Sequence, residues 1–419
     1  MSEYPFFFTW TAQSQVKPLE LTGGEGAWFT TKDGSRWLDL GALAYQVHAG
    51  HGNKRIVEAI KRQADELCLS APTAVFPAKI ELAERLLKMA GPSFSKVFFT
   101  LGGAEANENA LKIARLYTGR LKNIARYRSY HGASMGALSL TGDWRRPAVE
   151  PGIPGVIHVQ DCYCDRCPFG QRVESCQREC ATNIADVMHL EGTRSVAAVF
   201  LEPVPGANGV LVPPPEYWPI VRAACDAEGA LLVADEVLCG FGRTGKPFGH
   251  QHWNVTPDMI TVAKGLASGY ATIGAVIVSK KIAEHFEDHV LAAGLTYYAH
   301  PTACAAAVET MKVYEDERMY ENAERLGPVL RRELDAIAAR IGVKVFVRSL
   351  GLLGCLEIDT SEHWGKLGKE LMARKLSLHV DAGRRTAIFS PPLCITEQEL
   401  VTGMRAFGDA AVAAFGARS

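Results

Sequence analysis

The chain has 419 residues, of which 47% are hydrophobic and 22% charged, with a net charge of −1 at pH 7. This length buries a large core and fits two domains, and the balanced charge points to neither a nucleic acid nor a membrane surface as partner. No segment is apolar for long enough to cross a bilayer, the opening residues lack the pattern of an export signal, and 11 cysteines, an odd number, suit reduced thiols in the cytoplasm better than a disulfide scaffold.

The first fifty residues mix aromatics with turn signals such as Thr22-Gly-Gly-Glu-Gly26 and Lys32-Asp-Gly34, and read as short strands and loops. Apolar residues recur at helical spacing over 56–67 and 78–89. From about Lys96 the pattern changes. Short apolar runs at 97–100, 196–201, 231–234 and 260–263 read as strands, with helices expected at 105–117 and 217–228 between them. Alternation of this kind predicts an α/β fold with a mostly parallel sheet flanked by helices. A long helical stretch is expected from Ala303 to about Ile341, then strands at 343–347 and 354–358 and a helix at 364–374. The large domain is expected at 55–305, with 1–54 and 306–419 joining into a smaller α/β domain.

Ligands of such sheets bind beyond the C-terminal strand ends, and the chemically telling residues follow those ends. Lys264 comes just after the run 260–263, and Asp235 closes the run before it. A lysine and an acid so placed suit pyridoxal phosphate: a Schiff-base lysine and a carboxylate for the pyridine nitrogen. Four further pieces accompany them. Thr100-Leu-Gly102-Gly103-Ala104 leads a strand through two glycines into a helix whose N-terminus offers free N–H groups to an anion. Tyr130, in Ser129-Tyr130-His131-Gly132, can stack on a flat ring; Glu202 ends a buried strand; Thr296 can donate to a phosphate or cap a turn.

Together these residues, with Trp37-Leu-Asp39, Gly50-His51-Gly52, Asn107, Gly240-Phe-Gly-Arg-Thr-Gly245, His300-Pro301 and Pro391-Pro-Leu393, closely resemble the class III (omega-amino-acid type) aminotransferases of pyridoxal-phosphate fold type I. The resemblance covers nearly the whole chain. It implies that Lys264 carries the cofactor and that Asp235 pairs with the ring nitrogen. Val237 would pack on the ring face opposite Tyr130, with His131 beside it in the cofactor site. Gly103 and Ala104 would hold the phosphate, and Thr296 would be donated by a neighbouring subunit, so the expected assembly is a homodimer or a dimer of dimers. Tyr45 and Glu202 would line the substrate pocket.

Two departures stand out. Many relatives hold a substrate carboxylate with an arginine immediately before Phe-X-Pro-Pro-Leu, which here is Ile388; amine-type relatives use a mobile arginine ten residues before the first of those prolines, which here is Asp381. Arg384 and Arg385 lie nearby and are the expected substitutes, because arginine matches a carboxylate or sulfonate in planar fashion. The second departure is a run holding Cys162, Cys164, Cys167, Cys176 and Cys180. Its spacing allows a metal clip, and it resembles an insertion found in a subset of relatives that includes taurine–pyruvate-like sequences. The expected reaction moves an amino group from an omega-amino acid, a taurine-like compound or an amine to an oxo-acid, with pyruvate favoured. A racemase, decarboxylase or aminomutase on the same scaffold is the alternative.

Overall fold

Val196–Leu201 and Leu231–Asp235 are buried along their whole lengths, which a strand achieves only inside a sheet covered on both faces. The computed structural model describes residues 4–418; Met1 to Glu3 and Ser419, the tips of the expected smaller domain, lie outside them. Its central sheet has seven strands: β1 (Phe94–Thr100), β2 (Lys122–Arg126), β3 (Val156–Val159), β4 (Val196–Leu201), β5 (Leu231–Asp235), β6 (Met259–Val262) and β7 (Gly274–Ser279). They lie in the order β1-β7-β6-β5-β4-β2-β3. All neighbours are parallel except β7, which runs antiparallel to β1 and to β6.

The expected strands all form, and β2, β3 and β7 join them. Strand β2 carries no apolar run, because Asn123 and Arg126 are fully buried polar residues within it. The helix α1 (Gly103–Thr118) follows β1 directly. The expected long helix after Pro301 is two, Pro301–Asp316 and Met319–Arg340, broken where Arg318 takes a φ of +51°. No described helix is long and apolar enough to cross a membrane.

Two smaller sheets flank this layer. Leu21–Glu25, Trp28–Thr31 and Arg36–Asp39 form one together with Leu376–Ser377, which pairs parallel to Arg36–Asp39 and so joins distant parts of the chain. The C-terminal sheet is antiparallel, in the order Val345–Leu350, Leu353–Ile358, Thr386–Phe389, His379–Asp381.

The segment after β3 crosses to this C-terminal sheet. Glu357, only 5% exposed, accepts hydrogen bonds from Tyr163 Oη, from Arg166 Nε at 2.9 Å and from Arg348 Nη2 at 2.8 Å. Arg348 also pairs with Asp165 at 2.6 Å, and Arg166 with Asp359 at 2.8 Å. A buried charge with several donors is costly to remove, because its partners stay buried without it. Glu357→Ala is therefore expected to lower the unfolding free energy by ~3 kcal/mol, read as a shifted denaturant midpoint, with Glu357→Gln losing less.

Candidate active site

The register of β5 and β6 pairs Asp235 with Thr261, so the acid and Lys264 leave the same sheet edge. Lys264 follows β6 by two residues and opens a one-turn 3-10 segment with a φ of +22°. Its ammonium has no hydrogen bond or ion pair among the described residues. Burial lowers its pKa, opposed by the nearby Asp235 and Glu202 carboxyls. A lysine that gives up its proton more readily presents more of the free amine, the form that attacks a carbonyl and accepts a proton.

Asp235 is almost completely buried and has three hydrogen-bond partners, only one of them on Oδ1. Its Oδ2 accepts from Asn107 Nδ2 at 2.8 Å and lies 2.7 Å from His131 Nδ1; its Oδ1 accepts the Val237 N–H at 3.1 Å. Asn107, to which the sequence assigned no role, is the link between these groups. The same amide donates to the His131 carbonyl at 2.7 Å and accepts from Thr261 Oγ1 at 2.9 Å, so α1, β6 and two loops meet on one side chain.

A cavity of about 570 Å³ opens above these groups. Gly103, Ala104, Tyr130, His131, Glu202, Asp235, Val237, Lys264 and Tyr45 all line it. At Gly103 a Cβ would stand 2.8 Å from Val237 Cγ1, and at Gly132, with φ +136°, it would stand 2.6 Å from Ala104. These close approaches require glycine. Gly102 gives α1 no side-chain cap, so the first N–H groups of this 16-residue helix remain available to an anion. Glu202 Oε1 accepts the Tyr130 N–H at 3.0 Å, and burial, with Asp235 adding to it, pushes the Glu202 carboxyl up to about 7.

Arg145 and His379 join the lining of this cavity without having been singled out in the sequence. Arg145 lines it, with its guanidinium 4.8 Å from the Tyr130 ring, 4.8 Å from Trp144 and 5.2 Å from Trp10. His379 also lines it, its ring centroid 5.5 Å from that of Tyr45, and burial lowers its pKa, as does the charge of Arg145. The Tyr45 hydroxyl is buried without a partner. Lys264 and Arg145 are the only lysine and arginine side chains in this lining among the described residues.

Arg384 and Arg385, the expected substitutes, do not reach the cavity wall. Both are taken up by acids: Arg384 by Asp381 at 2.6 Å and Asp143 at 3.0 Å, Arg385 by Asp359 at 3.0 Å. Thr296 is exposed and outside this lining. The cysteine run, whose spacing allows a metal clip but equally suits a surface insertion with free thiols, is not arranged as a clip among the described residues. Cys162, Cys164, Cys167, Cys176 and Cys180 face a cavity of only about 20 Å³, shared with Val173 and Pro214, and among the described residues no three His, Cys, Asp or Glu side chains are placed to hold a metal ion. Burial pushes the Cys162 and Cys180 thiols up to about 12, so without a metal both are neutral thiols. All 11 cysteines are free thiols.

The family model "Aminotransferase class-III" matches residues 10–411. An uncharacterized aminotransferase of Bacillus subtilis, YhxA, is 35% identical over 94% of this chain and 92% of its own. The taurine–pyruvate aminotransferase of Bilophila wadsworthia is 34% identical over 83% of this chain and 79% of its own. The crystal structure of taurine:2-oxoglutarate aminotransferase from Bifidobacterium kashiwanohense, in complex with PLP and glutamate, superposes with a TM-score of 0.90 at 34% identity, covering 97% of this chain and 95% of that one. The chain belongs to the class-III aminotransferases, enzymes that depend on pyridoxal phosphate. The residues present fit that cofactor: an unpartnered amine, a buried carboxylate, a helix N-terminus without a cap, and Tyr130 and Val237 line one cavity.

The raised Glu202 carboxyl makes a stability prediction. Its folded pKa lies above the ordinary 4.5. As pH rises, the unfolded chain therefore loses this proton first, and stability falls until the folded group ionises near 7. In cofactor-free protein, Glu202→Gln should remove that fall, gaining ~3 kcal/mol on wild type between about pH 5 and about pH 8. Urea midpoints at the two pH values read it; an equal pH dependence in both proteins would refute it.

Proposed function

We propose that this class-III aminotransferase transfers the amino group of a donor carrying a remote single negative charge, an omega-amino carboxylate or a taurine-like sulfonate, to an oxo-acid, preferentially pyruvate. The observation that carries this reading is the polarity of the cavity. The lining holds Lys264, Asp235 and Glu202 together with one guanidinium, that of Arg145, which is caged among Trp10, Tyr130 and Trp144.

Each residue then has a task. The N–H groups of Gly103 and Ala104 hold the cofactor phosphate, Tyr130 and Val237 flank its ring, and Asp235 keeps a proton on the ring nitrogen, since a nearby negative charge favours the protonated form. Thr296, exposed in this chain, completes the phosphate site of a second copy in a homodimer or a dimer of dimers. Pyridoxal phosphate, when bound, supplies an electron sink for the pair left on the donor carbon. Lys264 Nζ takes the proton from that carbon, and later returns one to the carbonyl carbon of the acceptor. Arg145 receives the remote anion by charge-assisted hydrogen bonds, and its aromatic walls restrain the guanidinium plane.

One arginine matches one anionic group. His379, with its lowered pKa, supplies no second fixed cation at neutral pH, which favours pyruvate over an acceptor with two carboxylates. The segment from Glu202 to Gly209 also lacks the second acid seen in many 2-oxoglutarate users of the GABA aminotransferase type. The free thiols support action in the cytoplasm.

Two experiments test the reading. Lys264→Ala is expected to lower kcat by ~10³-fold or more with the fold intact, measured as product formed per enzyme; turnover within tenfold of wild type would overturn its role. With a panel of donors and both acceptors, Arg145→Gln should lower kcat/KM for anionic donors ~10 to ~100 times more than for a neutral amine. Wild type should also favour pyruvate over 2-oxoglutarate. Equal losses for charged and neutral donors would remove Arg145 from recognition.

A further inference from the structure

We infer that Asp143 and Arg384 are positioning residues for the anion end of the cavity: Asp143 locks the Arg145 guanidinium in place, and Arg384 anchors Asp143 from the C-terminal sheet. The inference rests on the reading of Arg145 as the group that receives the substrate's anion.

Asp143 holds Arg145 at two points. Its Oδ1 accepts the Arg145 backbone N–H at 3.0 Å and its Oδ2 accepts Arg145 Nη1 at 2.6 Å. The carboxylate is 1% exposed and the guanidinium 12%, so the pair is little screened by solvent. The same Oδ2 lies 3.0 Å from Arg384 Nη2. Arg384 is tied to Asp381 twice more, by Nη1 to Oδ2 at 2.6 Å and by its backbone N–H to Oδ1 at 2.9 Å. Four charges thus alternate from the cavity wall to the turn between His379–Asp381 and Thr386–Phe389. Asp381, which stands where the resemblance places a mobile arginine, is the far end of this chain of charges.

The arrangement answers a specific need. Rings around a guanidinium restrict its tilt but leave it free to rotate within its own plane. A long side chain that must present a fixed edge to an anion loses binding energy to that freedom. Asp143 removes it by taking Nη1. Without the Asp143 charge, Arg145 and Arg384 would face each other at one site with no common counter-ion. Arg384 would stay with Asp381, so repulsion would displace Arg145.

The test uses holoenzyme and the KM of an omega-amino acid donor relative to that of a neutral amine donor. Asp143→Asn should raise this ratio about tenfold while kcat with either donor changes less than about threefold. Arg384→Gln should raise it less, because Asp143 then serves Arg145 alone. In the Arg384→Gln background, Asp143→Asn should cost less than in wild type, since the repelling partner is gone. A general loss of packing would move both donors together and would show no such coupling. Arg145→Gln, measured in parallel, separates the two levels. If it raises the ratio and Asp143→Asn leaves it within about twofold of wild type, the positioning role is overturned and Arg145 stands. If Arg145→Gln leaves the ratio unchanged, the Arg145 reading falls and this inference falls with it.

Discussion

The buried carboxylate of Asp235 is the constraint from which the site is built. A carboxylate taken out of water is costly unless its oxygens find donors. Here the donors are Asn107 Nδ2, the Val237 N–H and His131, drawn from α1, from the loop after β5 and from the loop after β2. Asn107 in turn takes a hydrogen bond from Thr261 on β6, three residues before Lys264. Satisfying one carboxylate therefore fixes the acid and the chain that carries the lysine relative to each other. No lysine or arginine pairs with Asp235 among the described residues, so its charge remains available to a protonated ring nitrogen.

From that clamp outward, the cavity separates two kinds of electrostatics. At the lysine end, burial lowers the Lys264 pKa and raises that of Glu202. Both shifts favour neutral forms, which suits proton transfer near pH 7. At the far end Arg145 keeps a permanent charge, with an acid held behind it and aromatic faces around it. Under the proposed function, Lys264 moves protons while Arg145 holds a fixed charge, and donors of the same amine chemistry would be sorted by the group they carry away from the amine.

The sequence revealed the first end and missed the second, for a physical reason. Lys264, Asp235, Glu202 and the Gly102-Gly103 turn all follow apolar strands, and strand ends of a parallel sheet converge in space. Position along the chain was enough to find them. Arg145 follows no strand. It sits in Asp143-Trp144-Arg145-Arg146, in an irregular stretch between β2 and β3. Its meaning comes from Trp10, far away in the chain, and from Arg384 in a turn joining two strands of the C-terminal sheet. The proximity of Arg384 to the Pro-Pro-Leu segment was legible, but its engagement by Asp143 and Asp381 was not, since local spacing cannot show that a charge is already paired. Strand β2 was hidden for a related reason: Arg126 and Asn123 are buried within it, and Arg126 Nη2 donates to the Glu202 carbonyl at 2.5 Å, a partner just beyond the end of β4.

The cysteine-rich segment shows the opposite case, a strong local pattern whose partners lie elsewhere in the fold. The residues that bond across to the C-terminal sheet are those between the thiols: Tyr163, Asp165 and Arg166. Cys162, in the core, lies 3.6 Å from Arg126 Nη1, while Arg126 Nη2 holds the Glu202 carbonyl. A thiol is among the smallest side chains that pack as an apolar group, so cysteine lets this segment lie close to the sheet while its charged neighbours reach outward. The segment consequently links the floor of the cavity at Glu202 to Glu357 and Arg348. The sheet that contains those two residues also carries His379 and Arg384 to the anion end. A loop that reads as a ligand set thus acts as a clasp, holding two walls of one cavity in register through the charges set between its cysteines.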